Sequence, residues 1–325
     1  MTTITTNENP STISEKAAWL ETRYWRFGLE EDLEDQLFDL FETEDNGQMT
    51  SQPRIDPLNG ESAGLMVLGR SGDGKTALLK RTLRKSPVLH ELKEDLEGNT
   101  LFITVPPEAT IKKLAELILA KTGYHKIDAK SRSADAWEMV MHRLALVGVK
   151  AIVIDECHHI FFRGAGRDVP GAIQSLKHIL QSAGGIALIV AGVPSLRDDI
   201  LSETSRESSR RFDEFFLSDI LLGTKRAALF ARNFYKSADV LGIEVEQQDA
   251  IAERVLFARN GQVGRSIELG KRLLRDAVTR RNDVLTLERA DAVFRRAGGD
   301  LDMTPFHSEA WSVVQKELEA IGWGQ

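Results

Sequence analysis

The residues of this chain best suited to chemistry begin at Gly69. Gly69-Arg70-Ser71-Gly72-Asp73-Gly74-Lys75-Thr76 has the spacing G-x-x-x-x-G-K-[ST]. Glycines at those places let the backbone wrap closely around phosphates with its N–H groups turned inward, and a helix starting at the lysine adds the positive end of its dipole. In such a loop Lys75 reaches the β- and γ-phosphates of ATP as a point charge, and the Thr76 hydroxyl is a ligand for Mg²⁺. The bland reading is a chance glycine-rich turn. Against it stand an apolar run before the loop (LMVL) and a helical pattern after it (ALLKRTLRK).

A second group must hold the metal and activate water. Ala151-Ile152-Val153-Ile154-Asp155-Glu156 ends an apolar run in two carboxylates. At the end of a strand, Asp155 reaches the Mg²⁺ shell and Glu156 acts as general base on the attacking water. His158 and His159 follow at once. Adjacent histidines do not share a ligand face as an i,i+4 pair does, and only Cys157 accompanies them. The reading here is packing or a surface role, with coupling to a neighbouring loop as the alternative. Cys157 reads as a small buried filler.

The elements that position these groups follow from the hydrophobic pattern. LMVLG, LFITV, AIVID and IALIVAG are short Val/Ile/Leu-rich runs without polar alternation, the signature of strands covered on both faces. Amphipathic segments such as IKKLAELILAKTG and AIQSLKHILQSAGG lie between them, so residues 64–222 are expected to form a parallel α/β sheet flanked by helices. Residues 223–300 carry long helical patterns only and are expected as a separate small helical lid, with 301–325 as a helical tail. Residues 1–63 are expected as a polar tail, an acidic helix in which Leu29, Leu33, Leu37 and Phe41 recur every fourth residue, and a linker, NGQMTSQPRIDPLNGESAG.

Composition narrows the class. The chain has 325 residues, 42 % hydrophobic and 28 % charged, with one cysteine, which excludes a disulfide framework and a cysteine-based zinc site. No signal peptide or membrane-length apolar run is present, so a cytoplasmic protein with no membrane partner is expected. The net charge of −7 is uneven: residues 1–63 hold 14 acidic and 4 basic side chains, leaving the rest slightly basic. A nucleic-acid surface on the body is therefore allowed, but only a local one.

The succession LMVLGRSGDGKT, FITVPPEAT, AIVIDECHHIF, ALIVAGVPSL, ESSRRF and NGQVGRSIELGKRLL resembles the TniB/TnsC group of AAA+ P-loop ATPases, transposition regulators related more distantly to MuB. The resemblance covers roughly residues 60–300. It implies assembly as a ring or helical filament on double-stranded DNA, coupling to a transposase and target-selection proteins, and an ATP site completed by a neighbouring protomer. By motif match, the arginine given to the neighbour is Arg211, with Arg210 and Arg206 as near candidates; the bland reading is a basic helix end balancing nearby acids. Two departures stand out. Val193 occupies the place of a polar γ-phosphate sensor, so that sensor is either missing or moved to Ser195. Gly264 occupies the place of the lid arginine, with Arg265 one position on as the candidate nucleotide contact.

Basic residues cluster at Lys112, Lys113, Lys121, His125, Lys126, Lys130 and Arg132, and again in the lid. The resemblance favours the first group, so Lys112 and Lys113 are candidate DNA-phosphate contacts without sequence preference. Trp311, Val314 and Leu318 are at helical spacing and read as packing back on the lid, or else as docking a partner. Trp19, Tyr24, Trp25 and Phe27 read mainly as packing on the AAA+ core. The alternatives are a helicase-loader ATPase acting on single strands, of the IstB/DnaC type, and a signalling or scaffold NTPase with a protein client and no DNA.

Overall fold

The computed structural model describes residues 10–125, 132–161, 169–182, 184–202, 210–298 and 303–323. In chain order these form α1 (Ile13–Thr22), α2 (Leu29–Phe38), β1 (Phe41–Thr43), β2 (Met49–Pro53), β3 (Gly64–Leu68), α3 (Lys75–Lys85), β4 (Thr100–Thr104), α4 (Ile111–Lys121), α5 (Ser133–Val147) and β5 (Ala151–Asp155). Beyond them lie α6 (Val169–Leu180), β6 (Ala187–Gly192), α7 (Ser195–Leu201), β7 (Phe212–Phe216), α8 (Lys225–Leu241), α9 (Ile251–Ala258), α10 (Val263–Thr279), α11 (Leu287–Arg295) and α12 (Trp311–Ala320). The chain divides into a sheet unit, residues 29–217, and a helical unit made of residues 1–28 and 218–325.

In the sheet unit five parallel strands lie in the order β4-β5-β6-β3-β7. Every residue of β3, β5 and β6 is buried, which is why their sequences show no polar alternation. Their C-terminal ends converge beside the start of α3, so the sheet delivers the phosphate-loop motif and the Asp155-Glu156 pair to one edge. At Gly64, in β3, a Cβ would lie 2.5 Å from the Phe212 ring and 3.0 Å from the Leu188 carbonyl, so only glycine lets these strands close up. Helix ends follow local chemistry: Thr110 caps α4 by accepting from the Lys113 amide, and Gly148 ends α5 in the left-handed region.

Two expectations change here. The expected 1–63 segment does not stay together: α2, β1 and β2 belong to the sheet unit, while α1 belongs to the helical unit. The stretch read as a linker is ordered. β2 pairs antiparallel with β1, residues 55 and 62 bridge, and Ser62 bonds the Leu180 and Ile186 carbonyls. Its prolines and glycines shape turns between short pairings rather than an unstructured connection.

In the helical unit α10 presents Ser266, Leu269, Gly270, Leu273 and Leu274 inward. Trp25, read from sequence as packing on the AAA+ core, lies here. Its ring meets Phe230 and Phe234 edge-on at 5.3 and 6.3 Å and presses on Gly270, where a Cβ would lie 2.9 Å from the indole. The C-terminal segment packs back on the same unit: Val314 and Leu318 are fully buried, and Trp311 meets Phe257 edge-on at 5.3 Å. Arg254 fastens it, donating to the carbonyls of Asp249, Pro305, His307 and Glu309 at 2.7–2.9 Å with its guanidinium over the Trp311 ring. Among the described residues no helix is long and apolar enough to cross a membrane.

Candidate active site

The loop between β3 and α3 is a cradle. Gly69 is buried, and a Cβ there would meet the Asp73 carboxylate at 3.0 Å and Leu217 at 3.1 Å. Gly72 and Gly74 hold φ of 85° and 90°, where a side chain is strained, and Gly74 starts α3. Arg70, Ser71 and Gly72 form the outer turn, with Arg70 and Ser71 exposed. Lys75 is buried at the base of the helix, and its Nζ donates to the Gly69 carbonyl at 2.8 Å and the Arg70 carbonyl at 3.0 Å. Burial lowers its pKa, while Glu156, Asp73 and Asp155 act to keep it charged. Asp73 is buried too, and its Oδ1 has no hydrogen-bond partner among the described residues.

At the end of β5 the buried Asp155 accepts the Thr76 hydroxyl at Oδ2 (2.7 Å) and the Glu156 amide at Oδ1 (3.0 Å). Hydroxyl and carboxylate thus meet across the sheet edge as an all-oxygen donor pair, the chemistry that suits Mg²⁺. The open glycine cradle and the carbonyl-held ammonium fit a polyphosphate, and the Thr76 and Asp155 oxygens fit a divalent cation.

Glu156 departs from ordinary backbone geometry, with φ 55° and ψ 34° in the left-handed region. A 3₁₀ turn, Cys157–Ile160, follows directly. The pair of bends sends the Glu156 carboxylate toward His158, Oε2 to Nδ1 3.5 Å. It also carries His159 to the end of β4, where Nδ1 lies 2.9 Å from the Val105 carbonyl. Burial lowers the His158 pKa, with His159 and Lys75 adding to the effect against Glu156 and Asp155. Cys157 is buried as expected, and burial pushes its thiol pKa up, away from reactivity.

At the end of β6, Val193 is half-buried and Ser195 is exposed at the start of α7. A polar side chain that approaches this strand end is that of His158: a Cβ on Gly192 would lie 3.2 Å from its Nδ1. Arg211 stands at the opposite, N-terminal end of β7. Glu61 grips it with Nε to Oε2 at 2.6 Å and Nη2 to Oε1 at 2.8 Å, and both side chains are largely buried. Arg210 beside it is exposed, and Arg206 lies outside the described residues. Nothing in the sequence signals the Glu61 partnership, because the two residues are 150 positions apart.

Lys112 is half-buried and Lys113 lies beside it in the first turn of α4, where Lys113 also pairs with Glu116 at 3.4 Å. Lys126 and Lys130 fall outside the described residues. In the helical unit Arg265 lies in the first turn of α10. Several other lid cations have internal partners: Arg280, Arg289 and Arg296 converge on Asp276, whose pKa their hydrogen bonds hold down against the effect of its burial. Lys271 donates to the Glu21 and Arg23 carbonyls and Arg275 pairs with Glu21.

Comparison with known proteins agrees with this geometry. The profile of the bacterial TniB protein family matches residues 28–221, and no curated protein matches the chain. Among solved structures, the Aeropyrum pernix ORC1 protein in complex with DNA is 15 % identical, with a TM-score of 0.58 over 86 % of this chain and 67 % of its own. Cdc6p from Pyrobaculum aerophilum is 15 % identical, with a TM-score of 0.59 over 85 % and 70 %. Drosophila ORC bound to DNA is 13 % identical, with a TM-score of 0.52 over 92 % and 68 %. At such identities these likenesses speak for the fold, and the family profile carries the assignment. The parallel sheet, the lysine cradle and the paired acids at its edge are those of a nucleotide-hydrolysing machine, and this chain belongs to the bacterial TniB family of AAA+ ATPases.

Proposed function

We propose that the protein hydrolyses ATP with Mg²⁺, assembles on duplex DNA in its ATP-bound form, and regulates transposition by presenting that DNA to a transposase. The observation that carries the reading is the meeting of Lys75, Thr76, Asp155 and Glu156 at one sheet edge in a chain of the TniB family. The Lys75 ammonium exchanges the carbonyls of Gly69 and Arg70 for β- and γ-phosphate oxygens, at little cost in new desolvation. Thr76 and Asp155 hold the Mg²⁺, which when bound neutralises charge building on the phosphates. Glu156 takes a proton from water as the water oxygen bonds the γ-phosphorus and the bond to ADP breaks.

Two arginines complete the proposal. An arginine from a neighbouring protomer stabilises the transition state; because Glu61 holds Arg211, the exposed Arg210 shares that candidacy with it. Arg265 is the candidate nucleotide contact from the helical unit. DNA contact falls to Lys112 and Lys113, in keeping with the DNA-bound states of the ORC structures that share the fold. The internal partners of Arg280, Arg289 and Arg296 argue against those three as the main DNA surface.

The test is fluorescence anisotropy on duplex DNA with ADP, ATP and a slowly hydrolysed ATP analogue, at two salt concentrations. Binding only with ATP or the analogue, weakened by salt and by Lys112→Ala/Lys113→Ala, is expected. A preference for single strands would replace the reading with a helicase loader. Indifference to DNA in every nucleotide state would leave an ATPase with a protein client.

A further inference from the structure

The left-handed residue at the end of β5 has placed three metal-binding side chains together. One donor atom each from Glu156, His158 and His159 lies within 4.8 Å of the others. The regular spacing of a helix would not do this for residues so close in sequence. Here the positive φ of Glu156 and the 3₁₀ turn after it turn all three to one side. The turn is anchored from below by Cys157 and Ile160, both buried, so its shape does not depend on the imidazoles.

We propose that Glu156, His158 and His159 form a binding site for a divalent transition metal of the Zn²⁺ class, and that filling it withdraws Glu156 from water and stops hydrolysis. Two imidazoles and a carboxylate are a donor set for Zn²⁺, Co²⁺ or Ni²⁺ and a poor one for Mg²⁺, which prefers oxygen. Ligands at about 2.1 Å around a tetrahedral ion stand about 3.4 Å apart. His158 Nδ1 and Glu156 Oε2 are already at 3.5 Å, and His159 offers a ligand atom within 4.8 Å of theirs. The His159 ring has the outer contact that metal-bound imidazoles make: with its Nδ1–H given to the Val105 carbonyl, the lone pair is on the other ring nitrogen. Water supplies the fourth position.

Electrostatics at the site allow a cation. The Lys75 ammonium acts against one, but Asp73 and Asp155 lie close enough to Lys75 to offset it. Two metal sites of different chemistry thus stand side by side at the end of β5: an oxygen pair at Thr76 and Asp155, and a nitrogen-rich set one residue on. The ion in the second site does no chemistry; it competes with water for the Glu156 carboxylate. The inhibitory half of the proposal rests on Glu156 being the general base, while the binding half does not.

The experiment uses the full-length, tag-free protein in excess Mg²⁺. Co²⁺ is followed by its visible d–d absorption and Zn²⁺ by calorimetry, for wild type, His158→Asn, His159→Asn and the double variant. Binding of a fluorescent ATP analogue and ATP turnover are measured in parallel on the same samples. One equivalent of Co²⁺ is expected in wild type and none in the double variant, with each single change weakening binding about tenfold or more. Zinc is expected to leave nucleotide binding intact while lowering turnover at least about tenfold, and the double variant to resist it. Equal metal binding by wild type and the double variant, displacement of Zn²⁺ by excess Mg²⁺, or turnover equally zinc-sensitive in both would overturn the proposal. Co²⁺ binding lost in the double variant in a protein without ATPase activity would refute the function proposed above and leave the metal site standing. Retained nucleotide binding by the variants identifies them as folded.

Discussion

Lys75 in the sheet unit and Arg254 in the helical unit are both cations almost wholly excluded from water, and the structure uses them in opposite ways. Lys75 holds two carbonyls of its own loop, five and six residues back along the chain. Arg254 holds four carbonyls, three of them more than fifty residues ahead in the C-terminal segment. Burial disfavours the charge in each case. Contacts made within a loop can be exchanged for a ligand's oxygens without disturbing the fold. Contacts made across the chain cannot be exchanged without releasing what they fasten. In the proposed reading one buried charge is poised for phosphate, while the other is a rivet.

The comparison is sharpest in activity. Lys75→Met should abolish nucleotide binding and turnover, whereas Glu156→Gln should keep binding and lose turnover by about 10²–10⁴-fold. Binding of a fluorescent ATP analogue beside a phosphate-release assay separates the two, and unfolding midpoints should move little in either. If Lys75→Met instead unfolded the sheet unit, Lys75 would be a second rivet and the contrast would fail.

Arg254→Met should show the reverse. Losing donors to four carbonyls costs about 3 kcal/mol of stability, read as a lower denaturation midpoint and faster proteolysis after residue 303. Nucleotide affinity should persist. The two packed glycines come next in size. Gly64→Ala and Gly270→Ala each force a methyl into an occupied place, at a cost of about 1–3 kcal/mol. Gly270→Ala should be milder, because its obstacle is the edge of the Trp25 ring, whereas at Gly64 the Leu188 carbonyl also blocks the way. Denaturant titration of both variants checks the order.

The parts legible in the sequence were those set by neighbours along the chain. The phosphate loop, the apolar strands and the helices of the lid follow from local spacing, because burial on both faces or on one stripe leaves its mark residue by residue. What escaped depends on distant partners or on one unusual dihedral angle. Trp25 carries no sign of which unit it enters; its partners Phe234 and Gly270 are specified only by the packing of α8 and α10. Glu61 gives no hint of Arg211. Phe41 looks like the next apolar position of the acidic helix yet lies in β1, because α2 ends at Phe38, and β2 looks like part of a linker because prolines and glycines serve a turn and a loose chain equally well. His158 and His159 look incapable of sharing a ligand as long as regular spacing is assumed, and the backbone at Glu156 is not regular.

That backbone has a consequence for how this sequence can drift. A glutamate held at φ 55° carries about 1 kcal/mol of strain that glycine would not feel. Gly at position 156 is therefore an exchange that relaxes the chain and removes the carboxylate proposed above as the base. A selection for thermal robustness alone, blind to turnover, should recover Glu156→Gly, a more durable protein that has stopped working. The glutamate persists at this corner against the local preference of its own backbone.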